Sequence, residues 1–193
     1  MLKSLLLIGL LAFSAVSQAN WTIDSKNSQV NFVSIKKSNI AEAHHFKTVS
    51  GKLIDDRQFQ LTIDLSSVET GIEIRNQRML THLFIADKYA NATLQAQLGA
   101  DVIKNLTISN PVTHTLKASL LLNGVSKDIV VNVLVTKLNN DTILINSLKP
   151  VVINASDYML SAGIDTLRDI AKLTNISYAV PVTFNLRLVR TSI

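Results

Sequence analysis

The chain of 193 residues contains no cysteine. Disulfide bonds are therefore excluded, and so is a lipid anchor attached through a cysteine behind a signal peptide. The fold must be held together by apolar packing, for which 47% of the residues are hydrophobic. A chain of this length buries about 70% of its unfolded surface, so we expect it to form a complete core.

Proline and glycine are also scarce, with three and six residues respectively. Interdomain linkers are often rich in these residues, and neither such a stretch nor a low-complexity segment interrupts the sequence. We therefore expect a single domain over residues 20–193.

Signatures of several functional classes are missing from the sequence. It has no G-x-S-x-G motif, no phosphate-binding glycine loop and no dinucleotide-binding fingerprint. The net charge of +5 comes from scattered basic residues, with Lys36-Lys37 as the one adjacent pair, so we expect no nucleic-acid binding. The spacing of His44, His45, His82 and His114 does not match a metal site, so we expect no metal.

The N-terminus has the pattern of a secretory signal peptide. Lys3 precedes an apolar run over residues 5–16, and Ser17-Gln18-Ala19 supplies the small residues of a cleavage site. The apolar run is shorter than the about 20 residues that a membrane-spanning helix needs. We expect cleavage before Asn20 and a periplasmic or secreted mature protein without an integral membrane segment.

Alternation of apolar and polar residues is the strongest structural signal in the chain. Residues 179–189 place Val180, Val182, Phe184, Leu186 and Leu188 on one face, which is typical of a strand with one apolar side. Further strands are expected over residues 21–24, 29–35, 46–54, 59–65, 93–98, 112–122, 126–136 and 142–153. This succession predicts an all-β fold, in which an antiparallel sheet closes into a barrel and so removes its edges.

Turns and helices interrupt these strands at a few places. Asn123-Gly124 predicts a tight hairpin, and residues 25–28 predict a hairpin-like reversal between the first two strands. Helical periodicity predicts one or two short helices, over residues 74–82 and 163–175.

Four sequence blocks follow one another in a characteristic order. They are Trp21-Thr-Ile-Asp24 with Ser28-x-Val30-x-Phe32, the stretch 61–71 followed by Ile74-Arg-Asn-x-Arg-Met79, Leu121-Leu-Asn-Gly-Val-Ser-Lys127, and Ile153-Asn-Ala-Ser-Asp-Tyr158. Together they resemble the YceI family of secreted, lipocalin-like proteins over nearly the whole chain. The resemblance implies an antiparallel β-barrel of about eight strands with an apolar channel that binds polyisoprenoid or other long-chain lipids. It implies no catalytic residues.

The chain departs from the family pattern at Ala90, Asn123, Asp128 and Met159. Met159 stands where a glycine follows the aromatic residue. We expect its bulky, flexible side chain to narrow or reshape the channel.

On this basis we expect a non-enzymatic carrier that binds a long apolar molecule, such as an isoprenoid quinone or a polyprenyl lipid, with no cofactor. Arg75 and Arg78 are expected beside the mouth, where they could contact a quinone carbonyl or a phosphate. The residues expected to line the channel are Phe32, Phe46, Ile63, Leu65, Leu120, Leu122, Val131, Val133 and Phe184, closed by Leu83, Phe84 and Tyr158.

Two other interpretations stay open at this stage. The same inward residues could form a packed core, which would make the chain a filled barrel with a structural or stress-related interaction role. A lipid-modifying enzyme would need a paired nucleophile or acid–base group, whereas the candidates Asp157 and His82 stand alone in the sequence. The sequence also leaves open whether the chain forms a homodimer.

Overall fold

The computed structural model describes residues 20–99 and 101–191. The predicted signal peptide over residues 1–19 lies outside the described residues. The described chain confirms the expected fold, an all-β, antiparallel, lipocalin-like barrel of eight strands with two short helices.

The strands follow the chain in the order expected of a meander. Their bounds are β1 Asn20–Ile23, β2 Gln29–Lys36, β3 Ile40–Phe46, β4 Val49–Ile54, β5 Gln58–Asp64, β6 Val68–Glu69, β7 Asn91–Gln97, β8 Val112–Leu122, β9 Val125–Asn139, β10 Thr142–Ser147, β11 Val151–Asn154 and β12 Ala179–Thr191.

The barrel is closed by pairing between the first and last strands. The ring runs β1–β4–β5–β7–β8–β9–β10–β12, and β12 pairs back with β1. Several of its strands are interrupted and continue as a second segment. For example, β10 and β11 pair with successive parts of β12. Closure therefore leaves the ring without a free edge.

The opening of the chain differs from the predicted hairpin. β1 and β2 both pair with β12, so the 3₁₀ turn Ser25–Asn27 offsets the strand without reversing its direction. The expected reversal at residues 25–28 was wrong because a turn-forming composition does not determine whether the chain doubles back.

The hairpin at Asn123-Gly124 is confirmed. Leu122 pairs with Val125, and the two turn residues have φ of 51° and 76°. Positive φ at both central positions is the requirement of the two-residue turn that suits the twist of paired strands. Gly124 also lies against the Tyr89 ring, since a Cβ there would be 2.8 Å from Cε1.

Both predicted helices are present with different bounds. α1 (Glu73–Arg78) continues into a π-helical segment, Met79–Phe84, and α2 (Ser161–Ile170) ends earlier than expected. α2 crosses the π-helical segment closely at Gly163, where a Cβ would lie 2.5 Å from the His82 carbonyl oxygen. This contact holds the two helical segments together over one end of the barrel.

The opposite end of the barrel is filled by side chains. Trp21 is 1% exposed, and its Nε1 donates a hydrogen bond to Asp56 Oδ1 at 3.0 Å. Aliphatic residues from facing strands complete this packed end: Val49, Leu53, Leu116, Val133, Val135, Ile143, Leu186 and Leu188.

Candidate functional site

A cavity of about 520 Å³ occupies the barrel end beneath the helices. Ligand pockets in proteins commonly hold about 300–1,000 Å³, so this cavity has the size of a binding site. Its wall is mainly apolar. The aliphatic residues from the strands include Val30, Leu61, Ile63, Ala92, Leu94, Leu120, Leu122, Ile129, Val131, Ile153, Val180 and Val182.

Aromatic rings form one side of the cavity. Phe32 on β2 and Phe46 on β3 have ring centroids 5.3 Å apart, and Phe84 follows at 6.0 Å from Phe46. These tilted arrangements are favourable for aromatic pairs. The three rings therefore form one continuous aromatic side of the wall.

The helical segments cover the cavity without filling it. Met79, Leu83 and Phe84 face it from the π-helical segment, and Ile164 and Leu167 face it from α2. The apolar side of α2 thus docks on its own barrel. Because Gly163 allows the close crossing, the cover is a packed pair of segments.

Nearly all of the residues predicted to line the channel do line this cavity. Phe184 lies at its inner limit, since it also borders a small void of about 20 Å³ towards the packed end. The residues predicted from the sequence that line the cavity are Phe32, Phe46, Ile63, Leu65, Arg75, Arg78, Leu83, Phe84, Leu120, Leu122, Val131 and Phe184.

Val133 and Tyr158 lie outside the cavity. Val133 faces inward like Val131 but stands two residues, about 7 Å, nearer the packed end, where it borders the small void. Tyr158 is buried with Ala155 and Leu160 in a second apolar cluster. Alternation along a strand identifies which side chains face inward. It does not show whether an inward side chain lies at the cavity or at the packed end of the barrel.

Met159 does not narrow the channel, contrary to expectation. Its side chain is 76% exposed and does not line the cavity, and its backbone has a φ of 58°. The family's glycine at this position is explained by backbone conformation, because positive φ is costly for other residues.

A polar patch interrupts the apolar wall on β2 and β3. Ser34, Glu42 and His44 all line the cavity, and Ser34 Oγ is hydrogen-bonded to His44 Nε2 at 2.9 Å. His44 is 5% exposed and its ring lies 5.1 Å from that of Phe32. Within the described chain, its second ring nitrogen, Nδ1, has no hydrogen-bond partner.

Glu42 joins two basic side chains at the same wall. Lys36 Nζ donates to Glu42 Oε1 at 2.9 Å, and Arg75 Nη1 donates to Oε2 at 2.8 Å. Arg75 Nη2 also donates to the Thr70 carbonyl at 2.6 Å. Arg78 lines the cavity too, and among the described residues it forms no ion pair.

Arg75 is positioned by the loop before α1. Asn76 is buried, and its Oδ1 accepts hydrogen bonds from the Thr70 backbone N–H at 3.0 Å and from the Thr70 hydroxyl at 2.6 Å. The amide thus fixes the loop whose carbonyl binds Arg75.

The electrostatics of the patch follow from burial and pairing. Burial lowers the pKa of His44, and the positive charge of Arg75 lowers it further, so the imidazole is neutral at pH 7. The hydrogen bond from Lys36 and the charge of Arg75 hold the pKa of Glu42 below its usual value. The patch therefore combines a neutral hydrogen-bonding pair with an ionic cluster of one carboxylate and two basic groups.

Sequence reasoning missed Ser34, Glu42 and His44. Ser34 lies on β2, in a strand that was predicted, but it is a polar residue at an inward position. Glu42 and His44 lie on β3, which was not predicted as a separate strand, because its inward positions are Glu42, His44 and Phe46 and so lack apolar periodicity. A usable signal was present, since polar residues at every second position opposite an apolar strand indicate a polar inner wall.

Within the described chain, no group of three or more histidine or acidic side chains is arranged to hold a metal ion. Among the same residues, no helix has the length and hydrophobicity required to cross a bilayer.

A family model described as YceI-like domain matches residues 21–188. The chain belongs to this YceI-like family. A search of curated proteins found no match.

Several solved structures share the fold of this chain. The chain is similar to a polyisoprenoid-binding domain from Saccharophagus degradans, implicated in plant cell wall breakdown, with 37% identity, a TM-score of 0.86, and coverage of 89% of this chain and 98% of that one. It also shares its fold with Burkholderia cenocepacia BcnA, at 19% identity, a TM-score of 0.64, and coverage of 86% and 98%. A Campylobacter jejuni YceI protein has 20% identity, a TM-score of 0.53, and coverage of 78% and 85%.

Proposed function

We propose that this YceI-like protein binds a long-chain apolar molecule of the polyisoprenoid class, in a carrying or sequestering role. The observation that carries the proposal is the cavity of about 520 Å³, enclosed by aliphatic and aromatic side chains. The Saccharophagus degradans domain, described as polyisoprenoid-binding, supports the choice of ligand class.

The energetics fit an apolar chain. Burying one CH₂ group contributes about 0.8 kcal/mol, so a long prenyl chain can bind tightly without directional contacts. The polar patch gives the ligand's polar group a place on the wall. Ser34 and His44 can exchange hydrogen bonds with a carbonyl or hydroxyl group, and Arg78 can donate to an oxygen at the mouth.

One observation favours a second candidate, a lipid-modifying enzyme. The Ser34–His44 pair has the 2.9 Å contact of a nucleophile and its base. Such pairs are usually oriented by a third group on the other ring nitrogen, yet within the described chain Nδ1 of His44 has no partner. The carboxylate nearest in the patch, Glu42, is bound by Lys36 and Arg75. We therefore propose binding without chemistry as the function.

The location is part of the proposal. A signal peptide over residues 1–19 would deliver the barrel to the periplasm or the exterior, starting at Asn20. Intact-mass measurement of the protein from an envelope fraction tests this, and a mass that includes residues 1–19 would contradict it.

Native mass spectrometry of the protein purified from its own envelope tests the ligand. We expect a retained lipid whose mass and fragments identify a prenyl chain. A barrel without lipid, which also fails to bind added polyprenol, would favour the filled-barrel alternative. Labelling of Ser34 by a fluorophosphonate, absent in Ser34→Ala, would favour the enzyme.

Phe184→Trp provides a variant for the same experiment. Phe184 borders the inner limit of the cavity, so a larger ring should occupy ligand space and reduce prenyl-lipid retention. The melting temperature should stay close to that of the wild type. A large fall in melting temperature, with no lipid in either protein, would contradict the carrier.

A further inference from the structure

The mouth of the cavity has an apolar rim that faces solvent. Ile72 and Ile74, at the start of α1, are 49% and 52% exposed, and Ile170, at the end of α2, is 37% exposed. All three also line the cavity. The rim, defined by these three isoleucines, is therefore continuous with the apolar interior and stands in water at the same time.

The other large exposed apolar residues of the described chain do not share this property. Val130 and Val152 are 59% and 63% exposed on the strands, but neither lines the cavity. Isolated apolar residues are common on protein surfaces, whereas a group at the mouth of an apolar cavity indicates a contact surface.

Basic side chains flank the rim. Lys37 and Lys172 are exposed on turns with φ of 50° and 51°. The Lys37 N–H donates to the Asn175 carbonyl at 3.2 Å, which fastens its turn to the segment after α2. Leu173 and Ile176 of that segment line the cavity, so both lysines lie beside the mouth.

The charge around the rim is positive. Among the described residues, Lys37, Lys172 and Arg78 have no ion-pair partner. Glu42 is bound by two basic groups, whereas Asp165 and Asp169 share Arg168, at 2.7 and 2.8 Å. Glu73 has no basic partner in the described chain. The three unpaired basic residues and the second basic group on Glu42 outnumber these two uncompensated acidic charges.

We propose that this rim docks on the surface of an anionic phospholipid bilayer and places the cavity mouth against the lipid. Isoleucines that enter the interface beside lysines that attract anionic head groups are the combination that holds proteins at a membrane surface. The identity of the transferred molecule rests on the proposed function, whereas the docking itself rests on the rim and its charges. A prenyl chain could then move between bilayer and cavity without crossing water.

Vesicle sedimentation without any prenyl ligand tests the docking. The protein is mixed with vesicles of phosphatidylcholine alone and with vesicles that contain 40% phosphatidylglycerol. We expect binding to the anionic vesicles that weakens as salt is added. Lys37→Gln combined with Lys172→Gln should lower the partition constant about 30-fold, since each basic residue near the surface contributes about a factor of five.

Ile72→Ser with Ile74→Ser should lower the partition constant at least about 10-fold, because the apolar side chains that enter the interface are removed. Val152→Ser is the matched control and should bind vesicles as the wild type does. Melting temperatures confirm that each variant is folded. Equal binding by the rim variants and the wild type, or no binding to anionic vesicles, would overturn the proposal.

A second readout separates docking from ligand binding. The lysine variant should bind polyprenol added from detergent like the wild type, but extract it more slowly from anionic vesicles. If the wild type binds vesicles and no prenyl lipid, the docking stands and the proposed ligand fails. If extraction is equally fast in the lysine variant, or if the rim variants lose a protein partner in crosslinking but no vesicle binding, the bilayer is the wrong partner.

Discussion

The two ends of this barrel are built from the same strands, but one end is filled by side chains and the other contains a cavity. At the packed end, β12 contributes Leu186 and Leu188, which are almost fully buried against facing aliphatic residues. At the other end, the same strand contributes Val180 and Val182 to the wall of a cavity. Strand periodicity is identical in both halves, so the difference lies in what closes each end.

Closure of the packed end is by a side chain, and closure of the cavity end is by helices. Trp21 fills the interior at one end, with the Arg190 guanidinium 4.8 Å from its ring. At the other end, α2 and the π-helical segment rest on the strand ends and leave the space beneath them open. The interior of an eight-stranded barrel can be filled by side chains or can hold one small ligand. In this barrel, one half is filled and the other half contains a cavity.

Truncation at the packed end should have the largest effect on stability. Leu188→Ala removes a side chain that is 0% exposed, so we expect a loss of about 2–5 kcal/mol in the free energy of unfolding. Leu122→Ala, in the cavity wall, should cost less than half as much because its neighbours on one side are already absent. Denaturant unfolding of both variants measures this, and equal losses would mean that the two ends are packed alike.

The hairpin at the cavity end should be nearly as sensitive as the packed core. Gly124→Val places a β-branched residue at a φ of 76° and brings its Cβ into the Tyr89 ring, for a loss of roughly 1–3 kcal/mol. Gly71→Ala is the control, since Gly71 has the same φ and no atom within 4 Å of the added Cβ. A smaller loss in Gly71→Ala than in Gly124→Ala isolates the Tyr89 contact, and an unchanged midpoint in Gly124→Val would contradict the turn.

The sequence predicted the inner face of most strands well, because that face depends on a period of two. It could not predict the height of a residue in the barrel, so Val133 and Tyr158 were placed in the channel. It also missed Glu42 and His44, because inward polar residues on β3 break the pattern by which strands are recognised. Ser34 was missed although its strand was predicted, because the prediction took only apolar residues as inward. The packed and open halves differ in the position of the helices, which depends on contacts such as Gly163 with His82 that local sequence does not reveal.

Two buried alanines, one beside the cavity and one beside the small void, allow the two ends to be compared by substitutions of intermediate effect on stability. Ala92 on β7 lines the cavity and Ala118 on β8 borders the small void, and both are about 95% buried. Ala118→Leu should overpack the interior and cost about 1–3 kcal/mol. Ala92→Leu should enter free space, leave the melting temperature nearly unchanged and reduce prenyl-lipid retention. If both substitutions destabilise equally, the cavity is not available to a ligand.

The polar patch gives the cavity end a pH dependence. Because burial lowers the pKa of His44, the unfolded chain binds a proton here at a higher pH than the folded chain does. The free energy of unfolding is therefore unaffected by His44 above the pKa of the unfolded chain, which is near 6.5, and it declines as the pH falls below that value. We expect a lower denaturant midpoint at pH 5 than at pH 7, and His44→Gln should reduce this difference. A difference of the same size in the variant would assign it to other groups.

The smallest expected effect is a gain at the edge of the cavity end. Met159 has a φ of 58° and a solvent-exposed side chain, so its backbone is strained and its side chain contributes little packing. Met159→Gly should remove about 1–2 kcal/mol of backbone strain and cost about 0.5–1 kcal/mol in added freedom of the unfolded chain, for a net gain of about 0.5 kcal/mol. Thermal unfolding measures this gain, with Met159→Ala as a control that keeps the strain. Prenyl-lipid retention should not change, whereas a tighter or weaker retained lipid would show that Met159 reaches the ligand after all.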